Sequence, residues 1–373
     1  MLSIFCAPAR YVQGRDATEQ LGAEMVKLGL EGPVFIVAGK SARKLLDNTW
    51  QRTFKSAGLK YVVHDFGGEC SRPEIELAKN TALSAGAQVI VGAGGGKVLD
   101  TSRAVASELN KPAVNCPTVA SSDAPCSALS VVYTKSGEFD SYFFYKRNPD
   151  LVLVDTAVIA QAPARLLVAG MGDALATWFE AKTVIDAKNK NQVGGATTIS
   201  AGALAKLCYE TLLADGVMAL ESVRSKVVTP ALERLVEANT LLSGLGFESG
   251  GLAIAHSVHN GLTTNAHTHD YLHGEKVAFG LMTQLVAEGK NQSLMDEVMT
   301  FCTAVGLPIT LAQVGIKKIT PAQLNQIAER TCAVGETAHN EPFEVTPALI
   351  ADAIIAADNL GQCFLEKNRR AVN

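Results

Sequence analysis

The sequence has no marked excess of charge of either sign, no C-x-x-C pair, no low-complexity tract and little histidine. Its 33 Lys and Arg against 37 Asp and Glu leave a formal net charge of −4, which argues against a nucleic-acid or other polyanion partner. Eight cysteines (Cys6, Cys70, Cys116, Cys126, Cys208, Cys302, Cys332 and Cys363) are scattered along the chain. That distribution suits reduced thiols in a cytoplasmic protein better than a disulfide framework or a thiolate metal site. The N-terminal MLSIFCAPARYVQG lacks the apolar core and cleavage pattern of a secretion signal. No uninterrupted apolar run approaches the roughly 20 residues that span a bilayer, so no membrane partner is expected. With 373 residues, 47% of them hydrophobic, the chain exceeds one ordinary hydrophobic core, and two domains are predicted.

Histidine is scarce but concentrated. Five of the seven fall in GGLAIAHSVHNGLTTNAHTHDYLHGEKVAF, residues 250–279. His256 and His259 sit three apart in a short predicted helix, His267 and His269 in a polar loop, and His273 at the start of a second helix. Neutral imidazole is the commonest protein ligand for zinc, so helix-held histidines flanking a loop make plausible metal arms. His267 and His269 read as exposed loop residues. Composition marks the region without choosing its ligands.

The first 160 residues alternate short apolar runs with helical patterns. PVFIVAG (33–39), KYVVHDF (60–66), the AQVIVG run before the glycines, PAVNCPT (112–118) and LVLVD (151–155) read as buried strands. Their alternation with helices predicts a mostly parallel sheet, while SALSVVYT and SYFFYK read as a hairpin. Gly92-Ala93-Gly94-Gly95-Gly96-Lys97 resembles a dinucleotide fingerprint, but its sixth position is lysine and it comes after the third predicted strand rather than the first. Either a phosphate site at a helix N-terminus or a tight structural turn accounts for it. TVASSDAPCSALS (118–130), after the next strand, is either the lining of a wet cleft carrying Asp123 or a solvated turn. Beyond residue 160 the texture is helical, and the domains are placed at 1–160 and 161–373. Asp173 lies inside a predicted helix over 163–184, where an acid ordinarily marks a solvated face.

Several blocks recur in a known order: GAGGGKVLDT, ASSDAPCSALSVVYT, APARLLVAGMGDALATWFEA, VTPALERLVEANT, GFESGGLAIAHSVHNGL and HGEKVAFG. Together they run almost end to end and resemble the glycerol dehydrogenases of the iron/zinc-dependent alcohol dehydrogenase superfamily. The resemblance implies an α/β Rossmann-like N-terminal domain and an all-α C-terminal domain, the architecture shared with dehydroquinate synthase, with the active site in the cleft between them. It implies Asp173, His256 and His273 as metal ligands. Many iron-type relatives carry a further histidine where Thr177 stands here, so three protein ligands and Zn2+ are expected. The implied NAD contacts are Gly94, Gly95, Gly96, Lys97 and Asp100 around the pyrophosphate, with Thr118, Ser121, Ser127, Leu129 and Tyr133 further along. Asp123 matches the acid that contacts a polyol substrate. The expected chemistry is zinc-assisted hydride transfer from glycerol or a related vicinal diol to NAD, giving dihydroxyacetone from glycerol. Competing expectations are a dehydrogenase for another hydroxy compound, NADP-using in one form, and a dehydroquinate synthase-like lyase. No protein general base is identified; His259, Glu275 and Lys276 read as supporting or helix-entry residues. Relatives form homo-oligomers, often octamers, so a homo-oligomer is expected. Many relatives also place an aspartate where Gly39 stands, beside Lys40 and Arg43, which predicts weaker discrimination against NADP.

Overall fold

The computed structural model describes residues 1–372. It divides into two compact units, one formed by Cys6–Ala164 with Glu221–Gly244, the other by Met1–Phe5, Arg165–Leu220 and Leu245 onward.

In the first unit the strands are β1 (Tyr11–Gly14), β2 (Val34–Ala38), β3 (Tyr61–Asp65), β4 (Val89–Gly94), β5 (Ala113–Pro117), β6 (Leu129–Tyr133), β7 (Phe139–Phe144) and β8 (Leu151–Asp155). Six form a sheet of order β1-β8-β5-β4-β2-β3, all pairs parallel, and β6 and β7 make a separate antiparallel hairpin. The helices are α1 (Leu21–Lys27), α2 (Lys40–Ser56), α3 (Arg72–Ser84), α4 (Gly96–Glu108) and α5 (Thr156–Gln161). All five residues of β2 are buried, as expected of a parallel strand covered on both faces. Alternate side chains go opposite ways: Val34, Ile36 and Ala38 meet Leu21, Met25, Trp50 and Phe54 of α1 and α2. Phe35 and Val37 meet Ile75 and Ala78 of α3 and Val98 and Val105 of α4. Each large side chain so buried contributes about 1.5–3 kcal/mol. The chain runs from β2 out to β3 and then crosses back to β4, so the strand order reverses between β2 and β4. The carboxyl end of such a reversal is where open α/β sheets hold ligands.

The remaining helices are α6 (Ala164–Asp186), α7 (Ile199–Arg224), α8 (Pro230–Glu237), α9 (Ser243–Gly250), α10 (Ile254–Leu262), α11 (His273–Ala287), α12 (Gln292–Val305), α13 (Pro321–Thr331) and α14 (Pro347–Val372), with a π turn over Ala238–Leu242. The α/β and all-α halves agree with the sequence reading. Two features do not. The strand β1 was absent from it, so the glycine loop comes after the fourth strand. YVQG is too short and too polar to stand out, and only its pairing with β8 makes it a strand. The division into 1–160 and 161–373 is also too simple, because residues 221–244 return to the α/β unit. There Tyr11 Oη lies 2.8 Å from Thr240 Oγ1, and Glu233 accepts from Gln13 Nε2 and Thr156 Oγ1 at 3.1 and 2.7 Å. Separately, Pro347–Arg370 within α14 is long and apolar enough to cross a membrane by length and composition, although Asp352 and Asp358 interrupt its apolar run. Its buried Ile350, Ala353, Ile354 and Ala357 keep the i, i+3, i+4, i+7 spacing of a helix packed on a core.

Candidate functional site

Three helices of the helical unit bring Asp173, His256 and His273 together. Glycine sets how closely they pack. A Cβ on Gly274 would sit 1.7 Å from the Ala169 carbonyl oxygen, and one on Gly172 would sit 2.3 Å from that of Gly274. Glycine therefore lets α6 and α11 touch backbone to backbone, next to Asp173 on one helix and His273 on the other. A Cβ on Gly280 would meet the Ala255 carbonyl oxygen at 2.2 Å, which locks α11 to α10 in the same way. The result is a cluster whose ligand atoms lie within 4.8 Å of one another. Asp173 Oδ1 is 3.0 Å from His273 Nε2 and 3.3 Å from His256 Nε2. Asp173 has no exposed surface, so the expectation of a solvated helix face does not hold for it. Burial alone would raise its carboxyl, but the two imidazoles outweigh it and hold the group below the usual carboxylate range.

Both histidines are oriented from behind. Glu180 lies two helical turns after Asp173 and is fully buried. Its Oε2 is 2.6 Å from His256 Nδ1, while Oε1 accepts the backbone N–H groups of Ala253 and His256 at the start of α10. Against the opposing effect of burial, Glu180 and Asp173 raise the His256 pKa well above its ordinary value. His273 Nδ1 is 3.0 Å from His259 Nε2, and His259 Nδ1 is 3.1 Å from Asn260 Oδ1. Asn260 directs its amide donors to Glu336. That fixes Oδ1 as an acceptor, and in turn makes His259 Nε2 the acceptor of the His273 Nδ1–H. Nε2 of both His256 and His273 is thereby left facing Asp173. Burial, with the neighbouring His273 and Lys276, holds His259 well below its ordinary pKa, in the neutral form this chain of bonds needs. One carboxylate and two imidazoles, each able to give up its Nε2 proton to a metal, suit a divalent cation. Glu180 was missed by the sequence reading, although its i+7 spacing from Asp173 on one helix face was a usable signal.

The other histidines and acids of the segment are placed elsewhere. His267 and His269 are exposed, the latter 3.1 Å from the Thr263 carbonyl oxygen. Glu275 accepts the Leu272 N–H at the start of α11 and pairs with Arg165 at 2.7 Å. Lys276 is buried, which lowers its pKa. Thr177 is buried, and Gly246 packs against its methyl group.

In the α/β unit, the glycine loop joins β4 to α4. Two of its glycines are explained by packing: a Cβ on Gly92 would strike Ser102 Oγ at 2.1 Å, and one on Gly94 would strike Val98 at 2.6 Å. Gly95 and Gly96 are different. A Cβ would meet nothing closer than 3.5 Å on the first and 3.9 Å on the second, and neither has positive φ. Their lack of side chains keeps space open over the N-terminus of a 13-residue helix whose cap Gly95 supplies no side-chain bond, the setting in which backbone N–H groups take phosphate. Gly39, after β2, donates its N–H to the Ala93 carbonyl, and Thr118, after β5, donates to that of Gly94. Lys97 is 2.6 Å from Glu69 and lies over the Tyr133 ring. Asp100, expected around a pyrophosphate, instead turns its buried carboxylate to Arg103. Ser127 is buried near the Ala124 carbonyl, Ser121 is half-buried, and Leu129 and Tyr133 begin and end β6. Asp123 is half-buried and accepts from Ser243 Oγ at 3.0 Å.

Residues 8–156 match the family model described as iron-containing alcohol dehydrogenase. A glycerol dehydrogenase of Pseudomonas putida is 51% identical over 96% of this chain and 98% of its own length. The chain belongs to the iron-containing alcohol dehydrogenase family. Within that family, a glycolaldehyde reductase of Halobacterium salinarum is 47% identical over 97% of this chain and 99% of its own. The crystal structure of glycerol dehydrogenase from Schizosaccharomyces pombe superposes with a TM-score of 0.93 at 38% identity, covering 98% of this chain and 92% of that one. This alcohol dehydrogenase family member thus shares its two-part fold with glycerol dehydrogenases of known structure.

Proposed function

We propose that this chain oxidises glycerol or a related vicinal diol by hydride transfer to NAD, at a zinc ion held by Asp173, His256 and His273. The convergence of those three donors carries the reading, together with nearly full-length similarity to glycerol dehydrogenases. A divalent metal bound there would act as a Lewis acid on a substrate hydroxyl, and a nicotinamide cofactor would accept the hydride. The protein's own part is preorganisation. Glu180 and His259 hold the two imidazoles in the tautomer that presents Nε2, so no reorientation is needed when ligands bind. The open backbone at Gly95 and Gly96 receives the cofactor pyrophosphate at the α4 N-terminus, and Thr118 closes one side of it. Asp123 accepts a hydrogen bond from a second substrate hydroxyl, which favours diols over simple alcohols. Three protein donors, with threonine at 177, suit zinc, and Asp173, His256 and His273 would hold it while a substrate hydroxyl could complete its ligands.

The glycolaldehyde reductase among the relatives favours a second reading, in which a short hydroxyaldehyde is reduced at the same site. A panel of glycerol, other diols, simple alcohols and glycolaldehyde with NAD and NADP, on metal-analysed protein, separates the two. Net accumulation of NADH with glycerol also excludes a lyase that regenerates its cofactor each turnover. His256→Ala is expected to fold, lose bound zinc and lose nearly all turnover, while His267→Ala and His269→Ala retain both. Stoichiometric zinc with full activity in His256→Ala would sink the ligand assignment.

A further inference from the structure

The segment carrying Asp123 is held by side chains at nearly every step. Asn239 Nδ2 donates to the Ala120 carbonyl at 3.1 Å, Asn115 Nδ2 to that of Pro125 at 2.8 Å, and Asn148 Nδ2 to that of Cys126 at 3.0 Å. Arg103, itself buried and paired with Asp100, donates to the Ala124 carbonyl. A loop meant only to be solvated has no need of four dedicated donors. The carboxylate is gripped as well, since Ser243 Oγ donates to Asp123 Oδ2 at 3.0 Å.

Ser243 and Asn239 come from residues 221–244, the excursion by which the later chain rejoins the α/β unit. Asn239 lies within the π turn Ala238–Leu242, and Ser243 follows it directly. A π turn inserts one residue into the helical repeat, rotating the residues after it by about 100°. Ser243 is fully buried and its direction is set by that turn. The next residue shows how tight the approach is: a Cβ on Gly244 would lie 2.9 Å from Cys126 Cβ and 3.3 Å from the Asp123 carbonyl oxygen.

We infer that Ser243, delivered by the π turn, is a positioning residue that sets the Asp123 carboxylate and so governs selection of vicinal diols. The inference rests on the reading of Asp123 as acceptor of a substrate hydroxyl. Its test is a double-mutant cycle of Ser243→Ala and Asp123→Asn, reading kcat/KM for glycerol relative to 2-propanol, NADH affinity by fluorescence, and Tm. Ser243→Ala should lower the glycerol preference about tenfold, mainly through KM, with NADH affinity unchanged. The double variant should lose no more selectivity than Asp123→Asn alone, because Ser243 acts through that carboxylate. Multiplying losses would overturn the inference, since Ser243 would then act independently. Selectivity lost in Asp123→Asn but kept in Ser243→Ala overturns the inference alone. Selectivity kept in Asp123→Asn removes the substrate reading on which it stands. Gly244→Ala supplies a second lever should Ser243→Ala fail to fold: it retains the hydroxyl but displaces it, and is expected to reduce the glycerol preference. Unaltered selectivity there counts against the inference.

Discussion

Gly39 follows β2 where the strand order reverses, and its surroundings bear on cofactor choice. It precedes α2 with an ordinary φ of −67°, and a Cβ there would meet Val98 at a normal 3.5 Å. Nothing in the packing demands glycine. Nearby, Arg43 is 2.5 Å from Asp65 at the end of β3, so its charge is already shared with a carboxylate, while Lys40 is exposed. An acid at position 39 would both hydrogen-bond an adenine ribose and repel a 2′-phosphate. Gly39→Asp should therefore raise the NAD-to-NADP ratio of kcat/KM on the order of tenfold, about 1.4 kcal/mol. Aspartate is a favourable N-cap, so Tm should not fall. An unmoved cofactor ratio would mean that residue 39 does not read the ribose.

Among elements, the glycines separate into two kinds, and substitution tells them apart. Gly274 sits in the crossing of α6 and α11, where a methyl group would overlap the Ala169 carbonyl oxygen. Gly274→Ala must force the helices apart, at a cost of about 1–3 kcal/mol or more for overpacking, and should separate Asp173 from His273. Lower Tm and loss of zinc are expected together. Gly95→Ala meets no such obstacle in the protein, so its Tm should stay near that of the parent while NADH affinity falls. If Gly274→Ala kept both Tm and zinc, the crossing would be looser than its geometry implies. If Gly95→Ala bound NADH normally, the phosphate reading of the loop would fail.

For the molecule as a whole, the helical unit carries an unusual titration. Glu341 is buried, with its carboxyl group against the Glu288 carboxylate. Burial, reinforced by the charges of Glu288 and Glu180, pushes it up to about 9. Glu288 is engaged by Thr183, Gln284 and Lys290, and Glu180 by His256 and the start of α10. A folded-state pKa above the unfolded one means that the unfolded chain ionises first as pH rises. The stability linked to Glu341 is thus fully present below about 4.5 and is lost progressively up to about 9, by at most about 1.4 kcal/mol per unit. Glu341→Gln cannot ionise and should lack that slope. Its Tm advantage over the parent should widen from about pH 5 to about pH 9 and then level off. A difference that stays flat across this range would show that Glu341 is ionised in the folded protein.

Much of this was written locally. Unbroken apolar runs at β2, β4 and β8, and glycines ahead of α4, announce a parallel sheet with a ligand end, because strand burial and backbone freedom depend on neighbouring residues. Resemblance singled out Asp173, His256 and His273, yet residue chemistry by itself made Asp173 a solvated acid. Its burial comes from glycine contacts between α6 and α11, helices far apart in sequence. Glu180 behind His256, Asn260 behind His259 and Ser243 beside Asp123 were likewise illegible, since a polar residue on a helix has no declared partner until packing supplies one. The short strand β1 and the return of residues 221–244 to the α/β unit belong to the same class. Propensity and pattern are properties of adjacent residues and can be read along the chain. Hydrogen-bond partners, burial of charge and the docking of one element on another are properties of distance in space, which the linear order does not contain.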